Sequence, residues 1–260
     1  MDKNNVLLFD CDGVLGDTER YGHLPAFNKM WAEKGVDWKW SVEQYGDKLK
    51  IGGGKERMLS LFADEDFLSI FKKPCNSVEI DEIIKSWHKS KTAIYKDIIF
   101  SGKVPARPGI PRLIKEAIDA GWTCAMCSTS AVESVEAVLV HAVGQDYAKR
   151  FAGIFAGDMV KAKKPAPDVY LLAVKELGIK PENCVVVEDS ENGLKAAKAA
   201  QMKCLVTVNG YTKDENFGGA SLVVSCLGDE TEKCQVLANP FNLKIDNNID
   251  LDIIKQIKKL

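Results

Sequence analysis

Short apolar runs, each closed by an acid, a serine or a glycine, recur along the chain with helical segments between them. The first spans residues 6–9 (Val-Leu-Leu-Phe) and ends at Asp10. A second, 122–127, follows a segment at 110–120 whose apolar residues Ile110, Leu113, Ile114, Ala117 and Ile118 fall at helical spacing. Residues 185–187 follow an amphipathic stretch at 169–177, 204–208 follow 193–200, and 222–224 form a weaker last candidate. Strands that alternate with helices need crossover connections. The pattern therefore predicts parallel pairing in a doubly wound α/β sheet. In such sheets ligands bind beyond the carboxyl ends of the strands, so the residues just after each run carry the interest.

The alternation is interrupted once. From 18 to 103 there is no comparable isolated strand. Residues 26–34, 55–62 and 80–99 read as helices, and Trp31, Trp38, Trp40 and Trp87 gather there. The stretch ends near Val104-Pro105-Ala106-Arg107-Pro108-Gly109, where proline cannot continue a helix. The expected organisation is an α/β core from 1–17 and 104–260 with an inserted helical domain at 18–103. A terminal helix is expected around 249–257, and no internal repeat stands out.

With 260 residues, 46 % hydrophobic and 28 % charged, the chain has ordinary globular composition. No apolar run approaches the roughly 18 residues of a membrane span, and the first residues show no signal-peptide core. The 35 basic and 37 acidic side chains give a net charge of −2 and are interleaved. Neither a nucleic-acid surface nor a membrane partner is expected; the expected partner is a small molecule, and the expected state a monomer. Eight cysteines without a secretory signal do not imply disulfides. Cys124 and Cys127 have CxxC spacing, but in a strand they point to opposite faces, and no second pair completes a zinc site. They read as core thiols, which suits a reducing compartment.

Four strand-end signals carry chemistry. Asp10-Cys11-Asp12-Gly13 follows the first run, and Ser128-Thr129-Ser130 follows the second. Lys164 precedes the helix at 169–177, and Glu188-Asp189-Ser190 follows the run at 185–187. A carboxylate can attack phosphorus, and a second can protonate the leaving oxygen and then activate water. Converging acids repel unless a hard cation holds them, and Mg²⁺ prefers a few carboxylates, waters and substrate phosphate. A hydroxyl and an ammonium suit the remaining phosphoryl oxygens. Taken singly, these signals read as a solvated turn, a helix cap for 132–143, a surface lysine and another helix cap; their order after separate strands sets those readings aside.

Asp10-Cys11-Asp12-Gly13-Val14-Leu15-Gly16-Asp17-Thr18-Glu19 resembles the DxDGVLxDTE signature of the haloacid dehalogenase superfamily, in the subclass with a helical cap. Ser128, Lys164 and Glu188-Asp189 resemble its other three motifs in order. The resemblance implies Asp10 as nucleophile and Asp12 as general acid/base. It implies a Mg²⁺ cofactor held by Asp10, the Asp12 backbone carbonyl and Asp189, with Glu188 acting through water. It also implies that Ser128, Thr129 and Lys164 hold the phosphoryl group.

In the insertion, Lys50-Ile51-Gly52-Gly53-Gly54-Lys55-Glu56-Arg57 places three glycines before an expected helix start, beside Lys50, Lys55 and Arg57. Exposed backbone N–H groups there suit an anion, although the P-loop spacing is missing. Leu49–Met58, which contains this stretch, and Asp17–His23, Phe155–Asp158, Val185–Ser190 and Gly210–Thr212 are similar to CbbY-type xylulose-1,5-bisphosphate phosphatases. That resemblance implies a sugar (bis)phosphate substrate, with Glu19, His23, Lys50, Gly53, Lys55, Arg57 and Arg107 in its site. Gly16 departs from the valine usual in that group. The alternatives are a β-phosphoglucomutase-like mutase, which shares the four core motifs, and a non-catalytic sugar-phosphate-binding regulator. If the substrate is a by-product of carbon fixation, a bacterial cytoplasm or a plastid stroma is expected.

Overall fold

Val6, Leu7, Leu8 and Phe9 are wholly buried, because the strand they form, β1 (Asp2–Phe9), lies in the middle of a sheet covered on both faces. The computed structural model describes residues 2–51, 53–72 and 76–260, so Gly52 and Cys75 lie outside the described residues. It divides into two compact units, Met1–Asp17 with Pro105–Leu260, and Thr18–Val104.

The larger unit is built on β1, β2 (Trp122–Cys127), β3 (Ile154–Phe155), β4 (Cys184–Glu188), β5 (Lys203–Thr207), β6 (Leu222–Val224) and β7 (Val236–Ala238). Among the described residues these form one seven-stranded sheet in the order β3-β2-β1-β4-β5-β6-β7. All pairs are parallel except β6 with β7. The order reverses at β1, between β2 and β4, which is where a doubly wound sheet opens its ligand crevice.

Helices along the chain are α1 (Leu24–Glu33), α2 (Val42–Lys48), α3 (Gly54–Leu59), α4 (Glu65–Phe71) and α5 (Ser77–Phe100) in the smaller unit. The larger unit adds α6 (Ile110–Asp119), α7 (Val132–Val143), α8 (Gln145–Ala148), α9 (Asp168–Leu177), α10 (Glu191–Ala199) and α11 (Leu251–Lys258). Val6 and Leu8 of β1, Val186 of β4 and Val206 of β5 pack with Val169, Tyr170 and Ala173 of α9 and Leu194 and Ala197 of α10 in one apolar layer. That alternate strand residues share this face is the period-2 consequence of the pleat.

The helical segments expected from apolar spacing are present to within a few residues. Those that spacing does not reveal are α2, α4 and α8, with β3 and β7. Each of these is at most seven residues long, too short for a period to repeat. One carried another signal: Ser41 and Gln44 form a reciprocal capping box at the start of α2.

The smaller unit has an aromatic core. Trp31 and Trp40 meet edge-on with ring centroids 4.6 Å apart, Phe27, Tyr45 and Trp87 surround them, and Phe67 packs edge-on against Trp87. The CxxC thiols are free and buried, like every described cysteine. Cys127 belongs to the apolar layer under α9, whereas Cys124 does not. Burial pushes Cys124 up to about 12 and Cys127 higher still, so neither is a thiolate at neutral pH.

Arg107 is a buried cation of the larger unit. Its guanidinium, on a residue 8 % exposed, donates to the carbonyls of Gly13 (2.5 Å), Thr207 (2.8 Å), Val208 (2.5 Å) and Ser225 (2.7 Å). Its own N–H donates to the Leu15 carbonyl at 2.9 Å. Arg107 ties the turn after β1 to the ends of β5 and β6, with both terminal guanidinium nitrogens engaged on those carbonyls.

Arg107→Met should therefore lower the unfolding free energy by about 3 kcal/mol or more in urea titrations, because several buried carbonyls lose their donor. A stable variant with raised KM would instead assign Arg107 to the substrate. Native protein treated with iodoacetamide at neutral pH should carry no label on Cys124 or Cys127 by peptide mapping.

Candidate active site

Three strand ends converge beside β1. The Asp10 N–H donates to the Val187 carbonyl at 3.0 Å, extending the β1–β4 ladder by one residue. This sets Asp10 beside Glu188, the last residue of β4, and Asp189 after it. Carboxylate oxygens of Asp10, Glu188 and Asp189 all lie within 4.8 Å of one another, and all three residues are buried.

Two glycines make room for these acids. Gly13 has φ +79°, and a Cβ there would collide with the Asp189 carboxylate and stand 2.7 Å from the Asn209 amide. Gly193, in the first turn of α10, faces Glu188, and a Cβ there would run into its carboxylate. Ser190 caps that helix, accepting from the Gly193 N–H at 3.2 Å. The Glu188-Asp189-Ser190 run thus supplies two site acids and one helix cap.

Lys164 is the cation of the cluster. Its Nζ lies 2.5 Å from Asp10 Oδ1 and 2.6 Å from Glu188 Oε1, and donates to the Cys127 carbonyl at 2.8 Å. The Tyr170 hydroxyl donates to Glu188 Oε1 at 2.5 Å, and Asn209 Nδ2 to Asp189 Oδ2 at 2.7 Å. On the β2 side, the Ser128 N–H donates to the Phe155 carbonyl at 3.0 Å. Ser128 Oγ accepts from the Ser130 N–H at 3.1 Å, and the Ser130 hydroxyl donates to the Asp12 carboxylate. None of this trio caps α7, whose N-cap is Ala131. Thr129 is exposed.

The electrostatics follow from crowding. Burial pushes the Asp10 carboxyl up to about 7; Lys164 opposes the shift, and Glu188 and Asp12 add to it. Asp189 is driven well above the carboxylate range by burial, Asp10 and Glu188, with Arg107 and Lys164 pulling the other way. Burial alone would lower Lys164, but Asp10 and Glu188 raise it, so it stays charged. One ammonium does not balance this group of acids in a low-dielectric site. A hard divalent cation fits both the charge deficit and the all-oxygen donor set.

The smaller unit holds two polar sets of its own. Glu19 accepts from the Tyr45 hydroxyl at 2.5 Å, and Arg57 donates to Tyr45 Oη at 3.1 Å and lies 3.9 Å from Glu19 Oε2. Arg57 Nε also donates to the Ile51 carbonyl at 3.0 Å. The second set is His23, whose Nδ1 lies 2.5 Å from Lys91 Nζ and whose ring stacks on Tyr95 with centroids 3.9 Å apart. An ammonium can only donate, so Nδ1 accepts. Burial, then Lys91 and Arg57, hold the imidazole well below its usual pKa and neutral; the proton is therefore on Nε2.

Of the expected glycine–lysine cradle, Gly52 lies outside the described residues. Lys50, with its side chain 80 % exposed, pairs with Asp47 at 2.9 Å. Lys55 and Gly53 are exposed. Gly53 has φ +94°, and the Glu56 carboxylate lies where its Cβ would be, so an acid already occupies the start of α3. Of the three cations expected there, Arg57 alone joins Glu19 among the described contacts.

Tyr45, Lys91, Tyr170 and Asn209 belong to these sets without being part of any motif read from the sequence, and Ser130, within the Ser-Thr-Ser signal, has no role assigned to it there. Two had usable signals. Asn209 sits just past β5, at another strand tip. Lys91 is a lysine on the buried stripe of α5 with Ile84, Trp87, Ile94 and Tyr95, a position where an unpaired charge is unfavourable.

Residues 5–201 match the family model for haloacid dehalogenase-like hydrolases. A CBBY-like protein of Arabidopsis thaliana is 45 % identical over 229 residues, covering 88 % of this chain and 71 % of its own. The plasmid-borne CbbY of Cupriavidus necator is 40 % identical over 227 residues, covering 87 % of each chain. Among solved structures, a CbbY variant of Rhodobacter sphaeroides in complex with xylulose 1,5-bisphosphate superposes with a TM-score of 0.69. It is 39 % identical, over 85 % of this chain and 94 % of that one. With its buried acidic cluster at the crevice of a doubly wound sheet, the chain belongs to the haloacid dehalogenase-like hydrolases, among their CbbY-like phosphatases.

Proposed function

We propose that this protein is a Mg²⁺-dependent phosphatase of a sugar bisphosphate, xylulose 1,5-bisphosphate in the first instance, working through a phosphorylated Asp10. The observation that carries the reading is the Lys164 ammonium held between Asp10 and Glu188 with Asp189 alongside. In the first step a carboxylate oxygen of Asp10 attacks phosphorus and the bond to the sugar oxygen breaks. Asp12 gives the leaving oxygen its proton. In the second step Asp12 takes a proton from water as that water attacks the phosphorus of the acyl phosphate, releasing inorganic phosphate and restoring the Asp10 carboxylate.

The remaining residues orient the reactants. Lys164 fixes the Asp10 carboxylate and, with Ser128 and Thr129, takes the transferring phosphoryl oxygens. Ser130, bonded to Asp12, fixes the acid/base. Asp10, the Asp12 carbonyl and Asp189 would hold Mg²⁺, with Glu188 acting through water, and the ion supplies charge neutralisation to the acids and the phosphoryl group. Tyr170 and Asn209 orient Glu188 and Asp189. Glu19 with Tyr45, Arg57 and His23 are assigned to the sugar and its second phosphate: a carboxylate suits hydroxyls, and a guanidinium suits phosphate. Lys55 and Gly53 stay with this group as its exposed border, while Lys50, paired with Asp47, and Arg107 do not. The crystal of the Rhodobacter sphaeroides relative with xylulose 1,5-bisphosphate supports this choice of substrate.

A panel of sugar phosphates assayed with and without Mg²⁺ tests the reading. Release of inorganic phosphate from xylulose 1,5-bisphosphate, lost on chelation, is expected. Turnover of another compound alone would refute the substrate, and an isomeric sugar phosphate as product would make the protein a mutase. Asp10→Asn should abolish turnover, and Asp12→Asn should slow it by about 10²–10⁴-fold. In metal-free buffer Asp189→Asn should melt higher than wild type, by about 2 °C or more, since it removes one crowded carboxylate. Added Mg²⁺ should reverse that order, because only the wild type keeps the full donor set. A variant that still gains as much from Mg²⁺ as the wild type would exclude Asp189 as a ligand.

A further inference from the structure

Glu19 and His23, which the proposed reading assigns to the sugar, sit at the two ends of an unusual turn. The helix entering the smaller unit is continuous from residue 18 to 33, but Glu19–His23 form a π-turn. The Leu24 N–H donates to the Glu19 carbonyl, five residues back and not four. The sequence supplies a cause. Pro25 stands one residue further on, and a proline ring inside an α-helix clashes with the carbonyl four residues earlier and offers no N–H to it. A turn with one extra residue relieves that clash, and such bulges recur at functional sites.

The turn fixes which side chain faces where. Counting back from Phe27 on the buried face of α1, an uninterrupted α-helix would align positions 27, 23 and 20. The extra residue puts Glu19 in the place that Arg20 would hold, because each α-helical position rotates by about 100°. An acid that pairs with Tyr45 and Arg57 thus replaces a base in that place, and Arg20 is exposed instead.

Gly22 lets the wide turn approach its neighbour. It is buried in the π-turn, and a Cβ there would come within 3.0 Å of Tyr95 Cε2 and 3.5 Å of Ile99 Cδ1 on α5. Without a side chain at 22, the turn lies close enough for the His23 ring to stack flat on Tyr95 at 3.9 Å, with Nδ1 at 2.5 Å from Lys91.

We propose that the π-turn set by Gly22 and Pro25 determines specificity, and that these two are positioning residues that present Glu19 and His23 together to the sugar end of the substrate. Neither needs to touch the substrate. The inference rests on the functional reading above, and the experiment separates the two. Gly22→Ala and Pro25→Ala are compared with wild type on xylulose 1,5-bisphosphate and on p-nitrophenyl phosphate, which has no sugar to place. The His23 ring is followed by NMR across pH 5–8.

Gly22→Ala should raise KM for the bisphosphate about tenfold or more and leave p-nitrophenyl phosphate turnover unchanged. Its His23 should titrate near the ordinary histidine range of about 6.5, whereas the wild-type ring should stay neutral throughout. Pro25→Ala should shift KM in the same direction, and it carries the test if Gly22→Ala fails to fold. Equal losses on both substrates would overturn the proposal, because the turn would then only support the fold. An unchanged KM with an unchanged His23 titration in both variants would also overturn it. If the wild type hydrolyses no sugar phosphate while His23 still shifts in Gly22→Ala, the functional reading fails and the structural account of the turn stands.

Discussion

The buried ammonium of Lys164 lies between two buried carboxylates, those of Asp10 and Glu188, and the crevice of this protein is organised around that contact. Three carboxylates within 4.8 Å of one another in a buried site repel strongly. Lys164 offsets part of that repulsion and also bonds the carbonyl of Cys127 at the end of β2. One side chain thereby joins the tips of β1, β2 and β4 to the segment leading into α9. The uncompensated remainder of the charge makes the crevice receptive to a divalent cation and a phosphoryl group.

A second buried cation of the same unit performs a different task. Arg107 spends its guanidinium on the carbonyls of Gly13, Thr207, Val208 and Ser225. It holds the turn that carries Asp12 and Gly13 against the ends of β5 and β6, and it moderates the upward shift of Asp189 from that position. Gly13 and Gly193 complete the arrangement by leaving space where a side chain would displace Asp189 or Glu188. The acids are thus placed by backbone, by two cations and by two absent side chains, which is the preorganisation that charge stabilisation in a reaction requires.

Much of this was legible residue by residue. Long amphipathic runs such as 110–119 and 169–177 announced their helices because a 3.6-residue period needs several turns to declare itself. The runs of β2 and β4 announced buried strands because a parallel sheet leaves no polar face. β3 and β7, two and three residues long, had no room for a pattern and are held by their neighbours. In the site, Asp10, Asp12, Ser128, Lys164, Glu188 and Asp189 could be picked out because each stands just past a strand or just before a helix. Tyr170 reaches Glu188 from within an ordinary amphipathic helix.

Sequence by itself determined the fold class, the family and the motif residues of the crevice, because strand periodicity and motif order are local properties of the chain. Tertiary structure decided what each cation does. Arg107 and Arg57 are both arginines near glycines, yet one serves buried carbonyls and the other a tyrosine and a glutamate. Lys50 pairs on the surface, whereas Lys91 is buried against a histidine. A flexible charged side chain is recruited by whatever unsatisfied partner the fold brings within reach, and that partner can be 100 residues or more away in sequence, as Thr207 is from Arg107.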